Sequence, residues 1–289
     1  MPDSTDAGIE VGLRFSKMHG LGNDFVIVDC REHRLPLDTA AIRRLGDRHF
    51  GVGFDQLLTI EPARDPDCAF AYGIWNTDGS RAGQCGNGVR CVARWLVRAG
   101  LIAQTGSVWL ESPSGPVAVE LLPDERVRAD MGEPRFEPAA IPLLVEDEEQ
   151  EDRYRIDVAG HEVEVGAVSM GNPHAVVEVA SIDDAPVESL GPQIEHAPAF
   201  PEGCNVGFAE LRSRNAIRLR VWERGVGETL ACGSGACAAV VVLRRRGRVD
   251  AHVAVELPGG ELEIGWTGPG ANVWMTGPAT FVFEGEWHG

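Results

Sequence analysis

The chain has 289 residues, 44% of them hydrophobic, and carries 44 acidic against 26 basic side chains for a net charge of −18. That is enough apolar material for two ordinary domains, and the charge repels phosphate backbones and anionic bilayers, so neither a nucleic-acid nor a membrane partner is expected. Seven cysteines, an odd number without disulfide-scaffold density, fit a reducing compartment, and the cytoplasm is the expected location.

Residues 1–12 are polar, acidic and small, with neither a basic start nor an apolar segment, and read as a flexible tail. No window reaches the roughly 18 apolar residues of a bilayer span. Lys17 is the only lysine. A pyridoxal phosphate enzyme needs a lysine for its Schiff base, and nothing beside Lys17 looks like a phosphate cradle, so cofactor-free chemistry is expected. Gly20-Leu21-Gly22 leads into a strand and not a helix, which removes a dinucleotide-binding reading. Strand-like patterns follow at Phe25 to Asp29, Gln56 to Ile60, Val108 to Glu111, Val117 to Leu121, Val163 to Ser169, Ala175 to Val179, Ile217 to Trp222, Val253 to Leu257 and Phe281 to Glu284. Turn clusters such as Thr77-Asp78-Gly79-Ser80 and Gly171-Asn172-Pro173 divide them.

Helical spacing of Val89, Val92, Ala93, Leu96 and Val97 predicts a helix from near Asn87 to Gly100, with Arg98 complementing its dipole. Ala236 through Leu243 is apolar nearly all round and predicts a buried second helix, ending in Arg244-Arg245-Arg246 with Gly247 as its cap. The basic triplet reads as a helix end, not a nucleic-acid patch. The run Glu146-Asp147-Glu148-Glu149, with Glu151 and Asp152, reads as a solvated surface loop. The fold class expected is α+β.

Each helix begins with a Cys-Gly-X-Gly turn, Cys85-Gly86-Asn87-Gly88 and Cys232-Gly233-Ser234-Gly235. Trp75-Asn76 precedes the first as Trp222-Glu223 precedes the second, both at an offset of 147. Gly22-Asn23 is echoed by Gly171-Asn172, and Val52-Gly53-Phe54 by Val206-Gly207-Phe208. Such a long internal repeat indicates a duplicated domain and not a solenoid, with the cleft between the copies as the expected small-molecule site. A helix start favours a thiolate through its N–H groups and dipole. Inverting a carbon beside a carboxylate needs one group to remove a proton and another to return one on the opposite face, and two thiols sharing one proton suit that task. The N–H groups of Gly86, Asn87, Gly233 and Ser234 would stabilise the developing charge. Cys30, Cys68, Cys91, Cys204 and Cys237 read as structural thiols. Spacings of six and five from Cys85 to Cys91 and Cys232 to Cys237 do not match common zinc sites, and no C-x-x-C is present, so no metal and no dithiol redox role is expected.

In these residues the chain resembles the diaminopimelate epimerases, cofactor-independent enzymes that interconvert LL- and meso-diaminopimelate in lysine synthesis. The resemblance rests on KMHGLGNDFVIVD (Lys17 to Asp29), GVGFDQLL (Gly51 to Leu58), NTDGSRAGQCGNGVRC (Asn76 to Cys91), GNPH (Gly171 to His174), GCNVGF (Gly203 to Phe208) and WERGVGETLACGSGA (Trp222 to Ala236). It implies Cys85 and Cys232 as the acid/base thiols and substrate contacts from Asn23, Gln56, Asn76, Asn172, Asn205, Glu223 and Arg224. His174 and Glu223 are implied as tuning the thiols. Arg224 suits a distal carboxylate. Two pseudo-symmetric domains are implied, each with strands wrapped around a central helix: residues 13–130 with about 278–289, and residues 131–277. A homodimer is implied as well. Thr77 and Arg81 depart from the pattern of many relatives. The rival readings are a proline racemase-like enzyme, whose relatives tend to carry His where Asn87 lies, and an amino-acid-binding protein that would need no thiols.

Overall fold

The computed structural model describes residues 12–33, 38–83, 85–145 and 151–289, so the tail up to residue 11 and the acidic run 146–149 lie outside the described residues. The chain divides into two compact units, one running to Val127 and including Ala279–Gly289, the other spanning Arg128–Pro278. The first contains β1 (Leu13–Gly20), β2 (Asn23–Asp29), α1 (Thr39–Gly46), β3 (Gln56–Glu61), β4 (Phe70–Asn76), α2 (Gly86–Arg98), β5 (Gly106–Ser112) and β6 (Gly115–Leu121). The second contains β7 (Val127–Asp130, from its second residue), β8 (Tyr154–Val158), β9 (His161–Ser169), β10 (Pro173–Val179), α3 (Val187–Glu195) and β11 (Asn205–Ser213). Its remainder is β12 (Ala216–Glu223), β13 (Gly227–Thr229), α4 (Gly233–Arg245), β14 (His252–Leu257), β15 (Gly260–Gly265) and β16 (Trp274–Gly277). The last strand, β17 (Thr280–Trp287), returns to the first unit and pairs antiparallel with β1.

Both units follow one plan. In the first, β1–β2 is antiparallel, β2–β3 parallel, β3–β4 antiparallel, β4–β5 parallel and β5–β6 antiparallel. In the second, β9–β10, β10–β11, β11–β12, β12–β14 and β14–β15 repeat that series in the same order. This is a duplicated α+β fold. Register refines the repeat read from the sequence. Leu57 pairs with Trp75 and Val206 with Trp222, so β3 matches β11 through Leu57 and Val206. The likeness of Val52-Gly53-Phe54 to Val206-Gly207-Phe208 is therefore coincidental: the first lies in the connection before β3, the second inside β11. Short apolar runs recur by composition, whereas register is set by backbone pairing.

Each unit wraps its strands around one helix. α2 packs against β1, β2, β3 and β6, while α4 packs against strands from β9 to β16. α2 is two-faced, burying Val89, Cys91, Val92, Ala93 and Leu96. In α4 every residue from Ala236 to Leu243 is buried, and the β-branched run Val240-Val241-Val242 stays helical because packing outweighs its weak helix propensity. The two helices end alike. Gly100 (φ 71°) and Gly247 (φ 68°) adopt the left-handed conformation, and Leu101 N–H and Arg248 N–H reach back to the carbonyls of Leu96 and Leu243 at 3.0 and 2.9 Å.

Candidate active site

In the first unit Cys85 is the N-cap of α2. Its backbone is extended, its carbonyl accepts the first helical bond from Val89 N–H at 3.0 Å, and its sulfur accepts from Gly88 N–H at 3.4 Å. The thiol is only partly buried. Its Sγ lies 3.8 Å from Asn23 Oδ1, at the first residue of β2, and Asn87 Nδ2 donates to the same oxygen at 3.2 Å. Gln56, which opens β3, donates to Asn76 Oδ1 at 3.1 Å, and Asn76 Nδ2 reaches Ser80 Oγ at 3.0 Å. The structure thus gathers Cys85, Asn23 and Asn87 in one cluster and Gln56 with Asn76 on adjoining strands. Arg81 stacks its guanidinium 4.2 Å above the Trp75 ring, which supports the turn after β4.

Beneath Asn23 lies a charged network with no local signature in the sequence. Asp55 accepts from Asn23 Nδ2 at 2.9 Å, from Arg48 Nη2 at 2.8 Å and from the backbone of Asp24 at 3.0 Å. Asp24 takes Lys17 Nζ at 2.5 Å and both arms of Arg48. Burial would raise the Asp24 carboxyl, but the hydrogen bonds from Arg48 and Lys17 outweigh it and hold it down to about 2. The lone lysine is therefore a structural cation, capped also by the Gly53 carbonyl.

In the second unit Cys232 is the N-cap of α4, and Ala236 N–H bonds its carbonyl at 3.0 Å. It differs from Cys85 in being buried, with Sγ 3.6 Å from Ser234 Oγ. Burial pushes the Cys232 thiol well above its ordinary value, and the neighbouring Glu223 carboxylate pushes it further. Thr229 donates to Glu223 Oε1 at 2.5 Å, fixing that carboxylate at the end of β12. Arg224, the next residue, is oriented by its backbone N–H on Asn205 Oδ1 at 3.1 Å and its Nη1 on the Glu202 carbonyl at 3.0 Å. Asn205 is buried and also donates to the Pro173 carbonyl at 3.0 Å. Glu195, likewise buried, braces this turn by accepting from Trp222 Nε1 at 2.7 Å and Gly225 N–H at 2.8 Å.

Asn172 accepts from His174 Nε2 at 3.0 Å. His174 is fully enclosed, and burial, helped by Arg224, lowers its pKa to about 3, so the ring is neutral at pH 7. Its Nδ1 has no partner. The tautomer follows: a bare ring nitrogen without a donor costs less than a buried N–H without an acceptor, so Nε2 carries the proton and donates to Asn172.

The candidate residues occupy matching positions. Asn23 and Asn172 lie at the β1–β2 and β9–β10 turns. Phe25 pairs with Gln56 and His174 with Asn205, placing Gln56 and Asn205 at equal register, and the next pairing does the same for Asn76 and Glu223. Asp55, Thr229, Glu195 and Arg90, whose Nη2 donates to Asn87 Oδ1 at 2.9 Å, were missed as supports. Asp55 and Arg90 sat inside the quoted motifs, next to Gln56 and one residue before Cys91; Asp55 reaches 32 residues across the fold to Asn23 and leaves no local signal, whereas Arg90 bonds Asn87 one turn back on its own helix, a spacing that could have been read. Among the described residues no group of three or more His, Cys, Asp or Glu side chains is arranged to hold a metal, and no helix is long and apolar enough to cross a membrane.

The family model described as diaminopimelate epimerase matches residues 15–137 and 166–282. The chain is 57% identical over 276 residues to the diaminopimelate epimerase of Xanthomonas euvesicatoria pv. vesicatoria (strain 85-10), covering 96% of each chain. It is 52% identical over 274 residues to that of Stutzerimonas stutzeri (strain A1501), covering 95% of this chain and 98% of that one. Among solved structures, a hydroxyproline epimerase from Agrobacterium vitis superposes with TM-score 0.70 at 18% identity, covering 97% of this chain and 93% of that one. A PhzF-family phenazine biosynthesis protein from Bacillus anthracis gives TM-score 0.68 at 17% identity over 95% and 98% of the two chains. At such identity these two show the fold alone, while the near-full-length sequence matches settle the family: the chain belongs to the diaminopimelate epimerases.

Proposed function

We propose that this chain interconverts LL- and meso-diaminopimelate without a cofactor, using Cys85 and Cys232 as the two bases. The observation that carries the reading is the duplication of one arrangement: a cysteine at the N-cap of a buried helix, an asparagine at the preceding hairpin and polar side chains at equal register, once in each unit. A reaction at a single carbon needs a proton removed on one face and delivered on the other, and a duplicated half-site meets that need with one thiol per unit. One sulfur, as thiolate, takes the α-proton while the other, as thiol, gives its proton to the opposite face; their roles exchange in the reverse direction. First-turn N–H groups of Gly86, Asn87, Gly233 and Ser234 would hold the carboxylate on which charge develops. Asn23, Gln56, Asn76, Asn172 and Asn205 would fix stereochemistry, Glu223 the reacting ammonium, and Arg224 a distal carboxylate.

On this reading the units are the two catalytic domains of a cytoplasmic homodimer whose partner is a small diamino diacid. Seven cysteines without a disulfide support a reducing compartment. Purified, reduced protein mixed with LL-diaminopimelate alone should form the meso isomer, and Cys85→Ala should slow it by about 10³-fold. Turnover of proline in its place would move the chain to a racemase, and binding without turnover to an amino-acid-binding protein. Sedimentation should give twice 31.1 kDa.

A further inference from the structure

The Asn23 amide stands between two anchors that cannot reverse. A guanidinium only donates, so the Asn87 atom 2.9 Å from Arg90 Nη2 is its oxygen, and the Asn87 amide nitrogen faces Asn23 Oδ1 at 3.2 Å. A carboxylate only accepts, so the Asn23 atom 2.9 Å from Asp55 Oδ2 is nitrogen. Donors run one way along Arg90, Asn87, Asn23 and Asp55. Arg90 is fully buried, and Asp55 is clamped by Arg48 and by Asp24, each aspartate's backbone N–H donating to the other's carboxylate at 3.0 Å. The end of Asn23 left facing Cys85 Sγ, at 3.8 Å, is the carbonyl oxygen. That oxygen accepts from a thiol and repels a thiolate. Turning the amide would offer N–H to the sulfur, but it would set Oδ1 against the Asp55 carboxylate and Nδ2 against the Asn87 amide nitrogen.

We propose that Asp55, with Arg90 at the other end of the chain, is a positioning residue that keeps Cys85 protonated by holding the Asn23 carbonyl against its sulfur. This rests on the assignment of Cys85 as one of the two acid/base thiols. The equivalent asparagine of the second unit has a different neighbour, Asn172 accepting from His174 Nε2, whereas Asn23 is tied to the Asp55 carboxylate. Among the described residues, Tyr72 on β4 and Cys91 on α2 interact electrostatically with Cys85, Arg90 lies on the same helix, and Lys17 on β1, Asp24 on β2 and Arg48 and Asp55 on the connection between α1 and β3 form the charged network behind Asn23. Burial pushes Tyr72 up and Cys91 up to about 12, so both stay neutral in the range where an ordinary thiol titrates.

The test is the pH dependence of iodoacetamide alkylation of the reduced full chain, read by mass spectrometry on the tryptic peptide Ala82 to Arg90, whose only cysteine is Cys85. Asp55→Asn removes the anchor on Asn23 Nδ2, because an amide at residue 55 can donate as well as accept, and leaves only the Asn87 amide nitrogen opposing a turn of Asn23. The alkylation midpoint should then fall by about one pH unit, the worth of a hydrogen bond to an ionised group. In an Asn23→Ala background the same substitution should move the midpoint by no more than about a third of that, since the route through the amide is gone. If Asp55→Asn does not fold, Asp55→Ser, with a hydroxyl that both donates and accepts, carries the same expectation. No shift, an upward shift, or equal shifts in both backgrounds overturns the proposal, equal shifts meaning that only the charge at residue 55 matters. No substrate enters the measurement, so the outcome is independent of which reaction the thiols catalyse.

Discussion

The two cysteine turns share a backbone and differ in how each sulfur keeps its proton. Cys85 is half open, caps its own helix and faces a carboxamide whose orientation is fixed through Asn87 and Asp55. Cys232 is buried, and a carboxylate, Glu223, stands where the first unit has Asn76. The duplicated fold supplies two equivalent places for a thiol, and different side chains at equal register make their electrostatics unequal. Different means of holding a proton imply different triggers for releasing it. Neutralising Glu223, as a bound ammonium would, releases Cys232; displacing or turning the Asn23 carbonyl releases Cys85.

The comparison is broken most severely by removing either sulfur. Cys85→Ala and Cys232→Ala should each lower turnover by about 10³-fold, within the range of a lost acid/base group, as measured by meso-diaminopimelate formation. A residual rate near wild type in one variant would show that a single thiol suffices. Next in size is the network of Lys17, Arg48, Asp24 and Asp55 in the first unit. Lys17→Met leaves Asp24 to Arg48 alone and should cost about 3 kcal/mol in urea unfolding, the low end for breaking a buried pair. An unchanged urea midpoint would mean that Arg48 suffices.

The contrast in charge is sharpened by exchanging it. Glu223→Gln should lower the alkylation midpoint of Cys232 by about one pH unit, and Asn76→Glu should raise that of Cys85 by a similar amount. If neither moves, register equivalence does not carry electrostatic equivalence. The smallest effect concerns stability. His174 binds a proton near pH 6.5 when unfolded but only near pH 3 when folded, so the unfolded chain takes up more protons between those values. Its stabilising contribution is complete above about pH 6.5 and is lost as pH falls towards 3. His174→Gln should flatten the fall in unfolding free energy from pH 6.5 to 4, measured by urea titration at each pH; an unaltered slope would place that loss in other groups.

Much of this was legible in the sequence because it is local. The Cys-Gly-X-Gly turns, the helices behind them and their terminal glycines follow from capping and periodicity within a few residues. The 147-residue offset carried the duplication, since both turns keep one distance from a tryptophan that pairs at the same register. What did not show is whatever crosses the fold. α1 was hidden because its apolar face is only Ala41, Ile42 and Leu45, and β1 because Arg14, Ser16 and Lys17 interrupt its apolar residues. The Val52 echo misled because an apolar triplet says nothing about register. Asp55 lies 32 residues from the amide it fixes, and Thr229 six from the carboxylate it holds across a hairpin, so only backbone pairing reveals either.

The most direct test of two bases is the fate of deuterium. LL-diaminopimelate is incubated with the protein in D2O, and at a few per cent conversion the isotope at the α-carbon is read by proton NMR and mass spectrometry in product and in recovered substrate. With one thiol on each face, the meso product carries deuterium at the inverted carbon while recovered LL substrate retains protium. Product retaining the substrate's own proton would mean that one group serves both faces, contradicting the assignment of Cys85 and Cys232 as a pair.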